Sequence, residues 1–223
     1  MKILTVSDEE CLALWDFYVP GRLKDYDLIL SCGDLNASYL SFLVTMSRCP
    51  VLYVHGNHDG SYRTRPPEGC DCIDDAIVEY NGLRILGLGG CLRYHPGEYQ
   101  YTEKEMRSRI RRLKWRLKRL EGVDIVVTHA PPEGLGDGED PAHWGFAALK
   151  ELLDEYHPQY LIHGHVHTRY GAVPSRTLEY GPTTIVNACE RYVLDIQDPP
   201  CSDMKKYGQV IYRTRQKNWY KKD

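Results

Sequence analysis

The sequence predicts an α/β domain with two β-sheets or one large mixed sheet, and three observations carry that reading. Short apolar runs recur along the chain, helix-like patterns separate several of them, and polar residues suited to chemistry stand where the apolar runs end. The runs are "KILTVS" (2–7), "DLILS" (27–31), "VLYVH" (51–55), "DIVVTH" (124–129) and "QYLIHG" (159–164). Each is apolar throughout rather than alternating, which fits central strands covered on both faces.

The elements follow in order. Helical patterns are read over "CLALWDFY" (11–18), "ASYLSFLVTMSR" (37–48), Thr102 to Leu120, and "WGFAALKELLDEY" (144–156). In "IVEYNGLRILGL" the pair Asn81-Gly82 stands between two strand-like runs, a favoured two-residue hairpin turn. "TTIVNA" and "RYVLDI" add two strands near the end with no long helix between them. Repeats, low-complexity tracts and linkers are absent, so residues 1–223 are read as one domain.

Composition narrows the function classes. With 223 residues, 42% hydrophobic and 26% charged, the chain has the make-up of an ordinary globular protein. Its apolar runs are too short to span a bilayer, and "MKILTVSDEE" lacks the pattern of a secretory leader, so a cytoplasmic location is expected. Eight cysteines lie scattered without a CxxC pair and are read as free thiols. A net charge of −3 argues against a DNA-coating protein. Nevertheless Lys104 to Arg119 holds nine basic residues against one acid, and the tail "RTRQKNWYKKD" is basic too. A solvated helix face is the first reading of that run; a phosphate-rich or nucleic-acid partner, and contacts within a homo-oligomer, are the alternatives.

The residues that carry chemistry share an address. Asp8, Asp34, Asn57, His129 and His163 each stand at or just past the C-terminal end of a strand candidate, the edge where open α/β sheets bind ligands. Singly, Asp8 reads equally as a helix cap, Asp34 as a turn residue and His129 as a satisfied strand-end histidine. "HGHVH" is different: three histidines within five residues are costly to bury and point to a metal. Oxygen and imidazole donors with open positions suit divalent metals at a hydrolytic centre, where two ions clamp an in-line displacement. No cysteine is placed among these motifs, which favours Mn²⁺, Fe or Zn²⁺ over a thiolate-type zinc site.

The series Asp8-x-Glu10, Gly33-Asp34, Gly56-Asn57-His58-Asp59, His129 and Gly164-His165-x-His167 resembles the calcineurin-like metallophosphoesterases. The "GHVH" ending is similar to the small prokaryotic phosphodiesterase-type branch. The resemblance implies a four-layer αββα sandwich, two mixed β-sheets packed face to face with helices outside. It implies a first metal held by Asp8, the residue at position 10, Asp34 and His167. Asp34 would bridge to a second metal completed by Asn57, His129 and His165. His58 would protonate the leaving oxygen, and a metal-bridging hydroxide would attack phosphorus. Two divalent ions are therefore expected, Mn²⁺ or Fe first, with Zn²⁺, Mg²⁺ or Ni²⁺ as alternatives. His163 matches no ligand position and is read as structural or supporting.

Two departures shape the expectation. Position 10, where the family carries histidine, is Glu10 here, and an added carboxylate would favour harder ions. Glu9 is expected to face solvent. Relatives that dephosphorylate proteins carry an acid where this chain has Ala37, which argues against a protein phosphatase. Residues 60–123 are expected to shape the substrate site, with Arg63 and Arg93 as phosphate contacts and Tyr94 as a stacking surface. His143, in the loop after His129, is a further substrate-binding candidate. The expected activity is hydrolysis of a small phosphate diester or monoester, a nucleotide among the options. A non-catalytic binding protein on this fold and a nuclease are the alternatives.

Overall fold

The computed structural model describes residues 1–167, 175–197 and the strand Val210–Arg213. Two sheets form its centre. The first is built from β1 (Lys2–Ser7), β2 (Leu28–Ser31), β3 (Val51–Tyr53) and β4 (Asp71–Cys72), with α1 (Ala37–Met46) crossing between β2 and β3. The hairpin β5 (Ala76–Tyr80) and β6 (Leu83–Leu88) starts the second sheet. A small parallel pair, β7 (Cys91–Leu92) and β8 (Gln100–Tyr101), leads into the long helix α2 (Glu103–Arg119). Then follow β9 (Ile125–Thr128), α3 (Ala147–Tyr156), β10 (Tyr160–His163), β11 (Thr177–Tyr180), β12 (Thr183–Asn187), β13 (Glu190–Asp195) and β14 (Val210–Arg213).

The first sheet runs β13-β1-β2-β3-β4 and the second β11-β12-β10-β9-β6-β5-β14. Within them β1, β2, β3 and β4 are mutually parallel, as are β6, β9, β10 and β12. β13, β5, β11 and β14 join antiparallel, so both sheets are mixed.

Alternation along each strand separates three apolar layers. Ile3, Leu28, Leu30 and Leu52 turn inward against Ile85, Ile125, Val127 and Ile162 of the other sheet. Their neighbours Leu4, Val6, Ile29 and Val51 point outward and pack on Tyr39, Leu40 and Leu43 of α1. On the far side, Leu86, Val126, Leu161 and Ile185 meet α2 through Met106, Ile110, Leu113 and Leu117, and α3 through Leu149, Leu152 and Leu153. The order is helix, sheet, sheet, helices. Each fully buried leucine or isoleucine contributes about 1.5–3 kcal/mol, so strands apolar on both faces are what this layering requires.

Local signals set the boundaries. Asn81 and Gly82 have φ of 46° and 82°, the left-handed pair that a tight hairpin turn needs. Thr102 and Glu105 form a reciprocal capping box that starts α2. α3 begins at Ala147 rather than Trp144, because Phe146 is extended and bridges to Pro132. The Glu103 carboxylate then accepts from Ala147 N and Ala148 N, capping α3 from the first turn of α2. Residues 11–18 do not form the expected helix. Only a 3₁₀ turn, Leu12–Leu14, is present, without a side-chain cap, and Leu12 and Phe17 are exposed.

The basic stretch is amphipathic, and much of its charge is already answered. Arg107 pairs with Glu151 and Lys114 with Glu155 across to α3. Arg109 is buried and bonds Asp75, while Arg112 reaches the same carboxylate. Among the described residues, no helix is long and apolar enough to cross a membrane. The basic tail and Cys201 lie outside the described residues, apart from Arg213.

Candidate metal centre

Parallel strands bring their C-terminal ends to one edge of the sandwich. Asp8 follows β1, Asp34 and Asn57 follow β2 and β3, His129 follows β9, and His165 and His167 follow β10. Of these, Asp8, Asp34, Asn57, His165 and His167 line a cleft of about 190 Å³. His129 lies fully buried beside it, with Nε2 3.2 Å from Asp34 Oδ2.

The backbone is forced to serve this convergence. Asp8, Asp34 and His165 have φ of 63°, 56° and 67°, left-handed conformations that cost a non-glycine residue of order 1–3 kcal/mol. Surrounding bonds hold them there. Asp8 N donates to Gly33 O at 3.1 Å, and both Asp8 carboxylate oxygens accept His165 N at 3.0 Å. Asp34 Oδ1 accepts His58 N at 2.7 Å. Two glycines make room: a Cβ at Gly56 would stand 2.0 Å from Asp34 Oδ1, and one at Gly164 would stand 1.9 Å from Ser7 Oγ.

The hydrogen bonds fix which histidine nitrogens are free. His129 Nδ1 donates to the Cys32 carbonyl at 2.8 Å, so its Nε2 lone pair faces the cleft in the neutral ring. That nitrogen also lies 3.0 Å from Asn57 Oδ1. In the neutral ring Nε2, Asp34 Oδ2 and Asn57 Oδ1 are three acceptors facing one another, an arrangement that a divalent cation would satisfy in place of the Nε2 proton. Burial alone would disfavour an imidazolium at His129, but the adjacent Asp34 charge prevails and raises its pKa to about 9. Burial opposes ionisation of Asp34, yet His129 and the His58 N–H hold its pKa at about 2. His165 Nε2 donates to the Ala142 carbonyl at 2.7 Å, leaving Nδ1 free, and burial lowers its pKa to about 3. Asp34, His129 and His165 present ligand atoms all within 4.8 Å of one another. This donor set fits a divalent metal.

A second group stands at the same edge. Glu9, His167 and Cys189 also present ligand atoms within 4.8 Å of one another, with Glu9 Oε1 3.5 Å from His167 Nδ1. Glu9 therefore does not simply face solvent. Glu10 turns away instead: its Oε1 accepts Asn36 N at 3.2 Å, at the start of α1, and it does not line the cleft. Cys189 carried no sequence signal, because only the pairing of residue 189 opposite Ser7 brings it here.

The expected substrate contacts divide. His58 lines the cleft and is exposed. His143 lines it too, its Nδ1 2.7 Å from Asp140 Oδ2, and Tyr94 stands at the cleft with its hydroxyl 3.5 Å from Asn57 Nδ2. Arg63 and Arg93 do not line it. Arg63 is bound to Glu98 at 2.6 Å, and Arg93 donates to Gln100 O and to Glu105, the capping residue of α2. Their guanidinium groups are satisfied by local acceptors. His163 is buried, its Nδ1 donating to the Gly164 carbonyl at 2.9 Å, and burial lowers its pKa to about 4.

A family model described as calcineurin-like phosphoesterase matches residues 8–169. The chain is 34% identical to the UPF0046 protein K07C11.7 of Caenorhabditis elegans, over 85% of this chain and 70% of that protein. It is 29% identical to a lariat debranching enzyme of Drosophila pseudoobscura pseudoobscura, over 70% of this chain but only 40% of the enzyme. The chain thus spans about two fifths of that enzyme's length. Among solved structures, the protein TT1561 of Thermus thermophilus superposes with a TM-score of 0.57 at 16% identity, covering 85% of this chain and 89% of that one. That likeness concerns the fold.

Proposed function

Because the chain belongs to the calcineurin-like phosphoesterase family, we propose that it is a two-metal hydrolase of a small phosphate ester, a diester before a monoester. One observation carries the reading: His129 Nε2, Asp34 Oδ2 and Asn57 Oδ1 converge in a buried corner, where a divalent cation would take all three as ligands in place of the Nε2 proton. With divalent ions bound, the centre supplies Lewis-acid charge for the phosphoryl oxygens and acidifies a water for attack.

The protein's own groups do the rest. Asp34 belongs to the group with His129 and His165, its Oδ2 toward His129 and its Oδ1 fixed by His58 N. That backbone bond also anchors the His58 imidazole at the open side, where it can hand a proton to the departing oxygen. His143 is oriented through Nδ1 by Asp140, which presents Nε2 for a phosphate oxygen. Tyr94 at the cleft offers an aromatic face beside the same space.

A small substrate fits the modest cleft, and the carboxylates paired with α2 weaken the case for a nucleic-acid track. The similarity to lariat debranching enzymes supports a diester. The test is turnover of a model diester against added Mn²⁺, Fe²⁺ or Zn²⁺, with Asp34→Asn as the control expected to abolish it. His58→Ala should lower kcat by roughly 10²–10⁴ while keeping the metal. A purified protein that binds no divalent ion and turns over no ester would end this reading.

A further inference from the structure

Resting on the phosphoesterase reading above, we propose that the first metal of this chain is held by Glu9, His167 and Cys189 beside Asp8, and not by residue 10. A thiolate thereby enters a centre whose sequence motifs contain only oxygen and nitrogen donors.

Glu10 is committed elsewhere. Its carboxylate accepts Asn36 N, and Asn36 is the N-cap of α1, so turning Glu10 toward the metals would strip a bond from that helix start. Glu9 has the place instead. Asp8 is in the left-handed region and Glu9 N donates back to Ser7 O at 2.7 Å, a reversal that points residue 9 toward His167.

Cys189 is placed by two independent constraints. Residue 189 bridges to Ser7, at the end of β1 and next to Asp8. Asn187 then ties it to the histidine loop: Asn187 Oδ1 accepts Cys189 N at 2.9 Å, while Asn187 Nδ2 donates to Val166 O at 2.8 Å. One amide side chain therefore fixes Cys189 against the residue preceding His167. Cys189 is buried, whereas the side chains of Glu9 and His167 are 22% and 38% exposed, so the group closes on the protein side and opens toward water. Three protein donors with one open side is the pattern of a catalytic metal, not a closed structural one.

The donor types have a consequence. A thiolate with an imidazole and a carboxylate selects Zn²⁺, Fe²⁺ or Co²⁺ over Mg²⁺ and Mn²⁺. On ligation the Cys189 thiol releases its proton to solvent, so loading of this position becomes pH-dependent. The first and second positions then differ in softness, and Asp34, His129 and His165 offer only oxygen and nitrogen.

The experiment is Co²⁺ titration of the metal-stripped protein under anaerobic conditions, read by absorption. The expected spectrum contains a thiolate-to-cobalt charge-transfer band in the near ultraviolet. That band should vanish in Cys189→Ser and persist in Cys72→Ser, Cys72 being the cysteine grouped with His55 and Asp74. Glu9→Gln should keep the fold and weaken the thiolate-bearing site by at least about tenfold, with Glu10→Gln leaving it unchanged. Two bound Co²⁺ ions without the band, a band that survives Cys189→Ser, or weakening by Glu10→Gln in place of Glu9→Gln would overturn the assignment and leave the phosphoesterase reading standing. No bound Co²⁺ at all would overturn both.

Discussion

Asp59 holds Asp34 in position: a single carboxylate oxygen of Asp59 accepts Asp34 N at 3.0 Å and Gly56 N at 2.7 Å. Asp59 is buried, and burial pushes its pKa up to about 6 against hydrogen bonds that favour the charged form. It ties the loop after β2 to the loop after β3, the two segments that carry Asp34 and Asn57. The cleft-lining carboxylate thus depends on a second carboxylate that does not line the cleft.

Removing that tie should be costly in two ways. Asp59→Ala orphans two backbone N–H groups, a loss of about 2 kcal/mol in denaturant unfolding. It should also weaken divalent-metal binding by roughly 10–100-fold, as measured by calorimetry. Unchanged metal affinity would show that Asp34 needs no such support.

Gly164 tests the tightness of the same edge from the other sheet. A Cβ there would lie 1.9 Å from Ser7 Oγ and 2.5 Å from Asp8 Oδ2, closer than atoms tolerate. Gly164→Ala should displace Asp8 and reduce metal-dependent turnover at least about tenfold while the protein stays folded. Wild-type turnover in that variant would mean the loop yields without moving Asp8.

A pH prediction comes from Asp74, away from the cleft. Burial alone would raise its pKa, but the hydrogen bond from His55 Nδ1, at 2.6 Å, and the charge of Arg109 hold it below the usual carboxylate range. An acid whose pKa is depressed on folding contributes stability above its unfolded pKa and loses it as pH falls through the folded value. Asp74→Asn should therefore cost about 2 kcal/mol near pH 7. The gap to wild type should close progressively below about pH 4, in urea melts followed across pH. A gap that stays constant down to pH 2 would remove Asp74 from the acid limb.

The strands were the most legible part of the chain, because a strand covered on both faces must be apolar throughout, and runs such as "DLILS" and "DIVVTH" declare that locally. α2 was legible from its helical pattern over Thr102 to Leu120, and the structure adds the capping box of Thr102 and Glu105 that starts it. Residues 11–18 misled, because helix-like spacing there was not matched by a cap or by burial of Leu12 and Phe17. Arg63 and Arg93 misled for another reason: the sequence does not say that Glu98 and Glu105 already occupy them.

By itself the sequence determined the central strands and the three helices, and it placed Asp8, Asp34, Asn57 and His129 at strand ends, since these follow from local periodicity. Only the tertiary structure decided that Glu9 of "DEE" stands beside His167, that Asn36 draws Glu10 away, and that Cys189 joins them. The physical reason is distance along the chain. Backbone direction at residue 9 depends on the left-handed turn at Asp8, and Cys189 reaches it through a bridge to Ser7 spanning most of the sequence.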